Sequence, residues 1–73
     1  MDTLKILGQR IRALRMEKGK KQRQLAEFLD MSLRNYQRFE HGEINIPSLT
    51  LCALADYFGV TTDYLLGRSE ERT

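Results

Sequence analysis

Apolar residues recur along the chain at intervals of three and four residues, which is the spacing of one face of an α-helix. The alternating β-branched residues and the Asn-Gly or Asp-Gly pairs that mark strands and hairpins are nearly absent. The pattern therefore predicts an all-α fold. The helices that it predicts lie at about residues 3–18, 21–29, 33–41, 48–58 and 62–66, which makes five.

The same spacing predicts which residues of these helices form a common core. The inward stripes are Leu4, Leu7, Ile11 and Leu14 in the first helix, Leu25, Ala26 and Leu29 in the second, Tyr36 and Phe39 in the third, Leu51, Leu54, Ala55 and Phe58 in the fourth, and Leu65 and Leu66 in the fifth. Cys52 is expected to be a small apolar member of this core. Residues 1–67 are expected to fold as one domain, and the polar segment 68–73 is expected to fray as a tail.

Glycine and short polar side chains mark the expected ends of the helices. Gly19 follows the first helix and is typical of a C-terminal stop, whereas Ser32 and Thr61 are expected to cap the third and fifth helices. Asp30 lies in a connection of about two residues between the second and third helices. Gly8 lies inside the first helix, where glycine costs up to about 1 kcal/mol of helix propensity. A close approach of another backbone at Gly8 would explain it.

The net charge of +2 hides an uneven distribution of charged residues. Residues 1–38 contain ten lysines and arginines and four acidic residues, whereas residues 39–73 contain two basic and six acidic residues. A basic half indicates a polyanionic partner, either a nucleic acid or an anionic surface. An ordinary solvated helix face would give the same composition, so the charge alone leaves both interpretations open.

Several classes of protein are disfavoured by what the sequence lacks. Cys52 and His41 are the only cysteine and histidine, which excludes an intramolecular disulfide and a zinc site built from clusters of these residues. There is no phosphate-cradling glycine loop, no recognisable catalytic set, no apolar run of about 20 residues and no signal peptide. We therefore expect a cytoplasmic protein that is not an enzyme, binds no metal, cofactor or small-molecule ligand, and does not enter a membrane.

The second and third predicted helices have the arrangement of a helix-turn-helix. Both are short, the turn between them is tight, and Ala26 is a small residue where the two helices would touch. A major groove about 12 Å wide admits one helix, which the preceding helix must hold at a fixed angle. Arg34 and Arg38 are four residues apart, so both can face outward and bind guanine or phosphate. The alternative for them is a solvated basic face.

The ordered set of segments LGQRIRALRMEKG, QRQLAEFLDMS, RFEHG and LADYFGVTTDYLLG, within about residues 4–67, resembles the Cro/C1-type (Xre-like) helix-turn-helix domains of phage and bacterial transcriptional regulators. The resemblance implies a compact five-helix lambda-repressor-like fold of bacterial or phage origin. It implies sequence-specific binding of double-stranded DNA, repression of transcription and no cofactor. An antitoxin-like or other protein-interaction module on the same scaffold is the alternative, because a fold does not determine a function.

The resemblance also implies a role for individual residues. The base-reading positions would be Leu33, Arg34, Asn35 and Arg38. Phosphate-contacting or positioning roles would fall to Lys20, Lys21, Gln22, Arg23, Ser32, Gln37 and His41. Arg15 and Glu40 would form a structural ion pair. Two departures from the family pattern stand out: Asp30 occupies a turn position usually held by glycine, and the apolar Leu33 favours contact with a thymine methyl group over hydrogen bonding.

An apolar cluster in and after the loop before the fourth helix indicates a possible dimer surface. Related domains often dimerise through the fourth and fifth helices, which places two recognition helices one DNA turn apart on a two-fold-related operator. The residues expected at such a homodimer surface are Ile46, Leu49, Tyr57 and Tyr64. The alternative is that the loop residues Ile44 and Ile46 simply pack onto their own domain.

Overall fold

The computed structural model of the protein describes residues 2–73, and it confirms the all-α prediction. Its helices are α1 (Thr3–Glu17), α2 (Gln22–Phe28), α3 (Leu33–Glu40), α4 (Ser48–Phe58) and α5 (Thr62–Leu65). The described part of the chain contains no strand. Each predicted helix is present, and its ends lie within two residues of the predicted ones.

The five helices bury one core. α1 packs against α3 and α5, α2 packs against α3, and α4 packs against α5. The buried apolar residues are Leu7, Ile11, Leu14, Leu25, Ala26, Tyr36, Phe39, Leu54, Ala55 and Leu65. Of the remaining predicted core residues, Leu29, Leu51, Phe58 and Leu66 are half-buried against this cluster. Leu4 is half-buried near the start of α1.

Local contacts explain where the helices begin and turn. The hydroxyl groups of Ser32 and Thr61 accept hydrogen bonds from backbone N–H groups three residues later, as expected of N-caps. Gly8 is buried where α1 crosses the end of α3, and a Cβ atom there would lie 2.3 Å from the carbonyl oxygen of Glu40. The expectation of a close backbone approach at Gly8 is therefore confirmed.

The prediction that Cys52 belongs to the core is wrong, because the structure exposes this residue. The core stripe of α4 contains Leu54 and Ala55, which face inward. At about 100° per residue, Cys52 lies roughly 110° around the helix from the centre of that stripe. Cys52, two positions before the buried Leu54, therefore lies on the side of α4 and is exposed to solvent.

The polar segment 68–73 packs against the domain, although it was expected to fray. Arg10 donates hydrogen bonds to the carbonyl oxygens of Tyr64 (2.6 Å) and Ser69 (2.9 Å). Arg72 forms two hydrogen bonds with the carboxylate of Glu17, at 2.9 and 2.7 Å. The guanidinium groups of Arg10 and Arg72 also lie over the ring of Tyr64. These arginines hold the tail along α1.

Candidate nucleic-acid interface

The turn between α2 and α3 is closed by backbone hydrogen bonds and one left-handed residue. The N–H of Met31 donates to the carbonyl of Ala26 at 2.8 Å, and the N–H of Asp30 donates to that of Glu27 at 3.1 Å. Asp30 has a φ of +54°, in the region that glycine enters at least cost. The aspartate therefore preserves the tight turn that the helix-turn-helix prediction requires, at some cost in backbone strain.

α3 has an inward face and an outward face, and the boundary between them follows the predicted one. Tyr36, Phe39 and Glu40 are buried. The outward side chains are the proposed base-reading residues Leu33, Arg34, Asn35 and Arg38, which we call the α3 outer face; Leu33 is half-buried and the other three are exposed. Three buried anchors on a helix of eight residues fix the direction in which this face points.

A buried polar cluster ties the end of α3 to α1. The Nε of Arg15 lies 2.6 Å from one carboxylate oxygen of Glu40, and its Nη2 lies 3.2 Å from the other. Arg15 also donates to the carbonyl of Lys20 at 2.9 Å, and the hydroxyl of Tyr36 donates to Glu40. The charges of Arg15 and Glu40 thus neutralise each other inside the domain, in the arrangement that the resemblance implied.

The pKa values in this cluster follow from its hydrogen bonds. Burial by itself raises the pKa of the Glu40 carboxyl, but the hydrogen bonds donated by Arg15, Tyr36 and Gln22 outweigh it and hold the pKa below its ordinary value. The hydrogen bond to Glu40 raises the pKa of Arg15, and burial raises that of Tyr36. Glu40 is therefore an anion near neutral pH, and Tyr36 keeps the proton that it donates.

Gln22 and Gln37 contact each other across the helix-turn-helix. The Nε2 of Gln22 donates to Glu40 at 3.2 Å, and its Oε1 accepts from the Nε2 of Gln37, also at 3.2 Å. Both polar ends of the Gln22 amide are therefore held in one orientation. The sequence pattern did not predict this pairing, since the two glutamines are fifteen residues apart.

An acidic residue beyond α3 lies beside two of the predicted DNA contacts. The carboxylate of Glu43 is 3.6 Å from the Nε of Arg38 and 3.8 Å from the Nδ1 of His41. All three side chains are about half or more exposed. Sequence reasoning missed Glu43, because it lies in the loop after α3 and Gly42, with a φ of +75°, turns the chain back towards the helix.

The remaining predicted phosphate contacts lie around the start of α2. Lys21 and Arg23 are exposed, and Lys20 is half-buried with its carbonyl bound by Arg15. The backbone N–H of Lys21 donates to the side chain of Gln24 at 2.8 Å, which completes the first turn of α2. Ser32, predicted as a positioning residue, uses its hydroxyl as the α3 cap.

The residues predicted as a dimer surface differ in their surroundings. Leu49 is 81% exposed on α4, whereas Ile46 is half-buried against the core. Tyr57 packs its ring between Phe28 and Phe58, and Tyr64 lies beneath the arginines that hold the tail. Leu49 is therefore the most accessible apolar side chain of the four.

Two further properties concern the whole described range. Residues 2–73 contain no helix that is long and apolar enough to cross a membrane. The same residues contain no group of three or more histidine, cysteine or acidic side chains placed to hold a metal ion.

Comparisons with known proteins agree with this geometry. The sequence profile of the helix-turn-helix family matches residues 11–65, which include the whole of α2, α3 and α4. The chain is 34% identical over 61 residues to the SPbeta prophage-derived uncharacterized HTH-type transcriptional regulator YonR of Bacillus subtilis, covering 84% of this chain and 56% of that protein. It is also 34% identical over 64 residues to the HTH-type transcriptional regulator ImmR of the same organism, covering 88% of this chain and 50% of the relative.

The chain spans about half the length of these curated relatives. No solved structure matches it significantly. The matched range includes the turn at Asp30, the buried anchors of α3 and all four residues of the α3 outer face. The chain therefore belongs to the helix-turn-helix family of Cro/C1-type transcriptional regulators.

Proposed function

We propose that this protein binds double-stranded DNA sequence-specifically and represses transcription, as a bacterial or phage-encoded regulator in the cytoplasm. The observation that carries the proposal is the α3 outer face, which three buried side chains fix in direction. Within residues 2–73 the side chains of Arg34 and Asn35 make no hydrogen bond or ion pair, so both are free to bind a partner. An exposed arginine on a short helix suits the fork-like recognition of guanine in the major groove.

Within this proposal, direct base contacts come from Leu33, Arg34, Asn35 and Arg38. Phosphate contacts come from Lys20, Lys21, Gln22, Arg23 and His41, with Gln37 orienting Gln22. The fixed orientation of the Gln22 amide supports a phosphate contact, since one N–H of its Nε2 is left for an anionic oxygen beyond Glu40. No cofactor enters this mechanism.

A homodimer on a two-fold-related operator would give this small domain sufficient affinity. One helix reads only a few base pairs, and two copies with recognition helices about 34 Å apart would read two half-sites. Leu49 supports a surface of this kind on α4, because it leaves a large apolar side chain in solvent.

Selection of binding sites from random duplexes tests the proposal. The wild-type protein is expected to select one sequence with two-fold symmetry. Arg34→Ala should relax the preference at one base pair per half-site and cost about 1–3 kcal/mol of binding free energy for each half-site. Lys21→Ala should weaken binding to all sequences alike, because a phosphate contact carries no sequence information.

The same selection experiment can also contradict the proposal. If Arg34→Ala selects the wild-type sequence with unchanged affinity, α3 does not read that base pair. A wild-type protein without salt-dependent affinity for any duplex would contradict DNA binding altogether, and would favour the antitoxin-like alternative in which the scaffold binds another protein. An asymmetric site would contradict the dimer.

Removal of the Glu43 carboxylate is expected to strengthen binding to non-specific DNA. Glu43→Gln leaves Arg38 without its ion-pair partner, so the guanidinium can bind phosphate on any sequence. An exposed ion pair contributes about 0.2–1 kcal/mol, which corresponds to roughly a 1.5- to 5-fold gain in affinity. Fluorescence anisotropy with a duplex that lacks the selected site measures this gain.

Glu27→Gln is the matched control, because it removes the same charge from an exposed position on α2 at which no ion pair forms within residues 2–73. Its effect should be smaller, and Glu43→Gln should have little effect in an Arg38→Ala background. Equal gains from the two glutamate variants would show that Glu43 acts through general charge repulsion and not through Arg38.

A further inference from the structure

A groove with a volume of about 610 Å³ runs along α1, beside the start of α2 and the end of α3. The α1 residues that line it are Lys5, Gln9, Arg12, Ala13 and Met16, and at one edge it meets Gln22, Glu40 and His41. We call it the α1 groove. It adjoins residues that the proposed function places on DNA phosphates, but the sequence pattern assigned no role to the α1 residues themselves.

The register of α1 explains why these side chains line up. Positions 5, 9, 12 and 16 are separated by four, three and four residues, so they form one stripe on the opposite side of α1 from Leu7 and Ile11. Gly42 holds this stripe beside the end of α3, since a Cβ atom on it would lie 2.8 Å from the Cα of Lys5. Lys5 and His41 are thereby kept on one continuous surface.

The charges in the α1 groove are complementary to a polyanion. Lys5 and Arg12 are exposed, and neither forms an ion pair within residues 2–73. The acidic side chain that lines the groove is Glu40, whose charge is already matched by Arg15. By contrast, the loop 43–47 contains the acidic Glu43 and no lysine or arginine. The positive side chains next to His41 that have no ion-pair partner within residues 2–73 are thus those of Lys5 and Arg12 on α1.

We infer that the α1 groove binds the sugar-phosphate backbone of the DNA that flanks the sequence read by α3, with Lys5 and Arg12 contacting phosphates. This inference rests on the proposed function and extends its contact surface. The two cations are seven residues apart, about 10 Å along the helix, so they reach different phosphates. The amide of Gln9 lies between them in the stripe and can donate a further hydrogen bond.

The test is the salt dependence of binding by Lys5→Gln/Arg12→Gln, on two duplexes. One duplex carries the selected site alone, and the other extends it by about ten base pairs, one helical turn, on each side. Each lost phosphate contact lowers the slope of log K against log salt by about 0.9. On the long duplex, the dimer would lose four contacts, two in each protomer. The change in affinity between about 50 and 200 mM salt should then be roughly 150-fold smaller than for the wild type.

Lys18→Gln/Arg68→Gln is the charge-matched control. Both of its residues are exposed and lie outside the groove, and the Nζ of Lys18 is over the ring of Tyr57 at 5.1 Å. This variant should keep the wild-type slope on both duplexes. On the short duplex the groove variant should also bind like the wild type. Because Lys5 and Arg12 are exposed, the groove variant should keep its circular dichroism spectrum and melting temperature.

Two results would overturn the inference while leaving the proposed function intact. One is a groove variant with the wild-type slope on the long duplex. The other is a wild-type affinity that does not depend on the flanking base pairs. That result would indicate an anionic protein segment as the ligand of the α1 groove. A wild-type protein that binds neither duplex would overturn the proposed function, and the inference with it.

Discussion

Glu40→Gln is expected to lower the free energy of unfolding by about 3 kcal/mol or more, because it strands the buried guanidinium of Arg15 without an anion. The substitution preserves the size of the side chain, so the loss reports on charge and hydrogen bonding and not on a cavity. Small domains are stable by only about 5–15 kcal/mol, and a loss of this size removes a large part of that margin. Urea unfolding followed by circular dichroism measures it.

Glu17→Gln provides the comparison for an exposed carboxylate. Glu17 is bound to Arg72 at the surface, where water screens the pair, so its loss should change the free energy of unfolding far less. Arg15→Met/Glu40→Met removes both buried charges together and should recover part of the loss, since no ion is then left unpaired. Similar losses in Glu40→Gln and Glu17→Gln would show that the buried pair has no special energetic role.

The lowered pKa of Glu40 also indicates how the stability of the protein depends on pH. Hydrogen bonds hold the pKa of Glu40 below its ordinary value despite burial, and Arg72 lowers the pKa of Glu17 in the same direction. A carboxyl group whose pKa is lower in the folded state than in the unfolded state stabilises the folded state at pH values above the unfolded pKa of about 4.3. This contribution is lost as the pH falls through the folded pKa. The wild type should therefore lose stability below about pH 4.3, and Glu40→Gln should lose less.

The helices and their caps could be predicted because they depend on residues that are near one another in sequence. The three- and four-residue spacing of α1, α3 and α4 was sufficient to identify their buried faces, and Ser32 and Thr61 cap the helices they were expected to cap. The edge positions were less predictable. Cys52 is a small apolar residue, a type that is often buried. Its exposure depends on how far α4 is rotated against α5.

Contacts between distant residues could not be predicted from these patterns. The tail depends on Arg10 and Arg72 meeting Tyr64, and no periodicity relates these three positions. The pairing of Gln22 with Gln37 likewise requires the angle between α2 and α3. The outward direction of the α3 outer face was predictable, because the buried Tyr36 and Phe39 determine it from within the same helix.

Gly8→Ala is expected to destabilise the protein by about 2 kcal/mol, which is opposite to the effect that helix propensity alone would give. Propensity favours alanine over glycine by about 1 kcal/mol inside a helix. The added Cβ atom, however, would lie 2.3 Å from the carbonyl oxygen of Glu40 and 2.9 Å from that of Phe39. Both are backbone atoms at the end of α3, so α1 and α3 must separate to admit the methyl group.

This separation should weaken DNA binding as well as stability, since α1 supports α3 at this crossing. Urea unfolding measures the stability, and anisotropy with the selected duplex measures the affinity of the fraction that remains folded. Ala13→Gly is the matched control for stability on the exposed side of α1, where propensity alone should cost about 1 kcal/mol. If Gly8→Ala instead raised the free energy of unfolding, propensity would outweigh the contact, and α1 could not be what fixes α3 in position for a DNA groove.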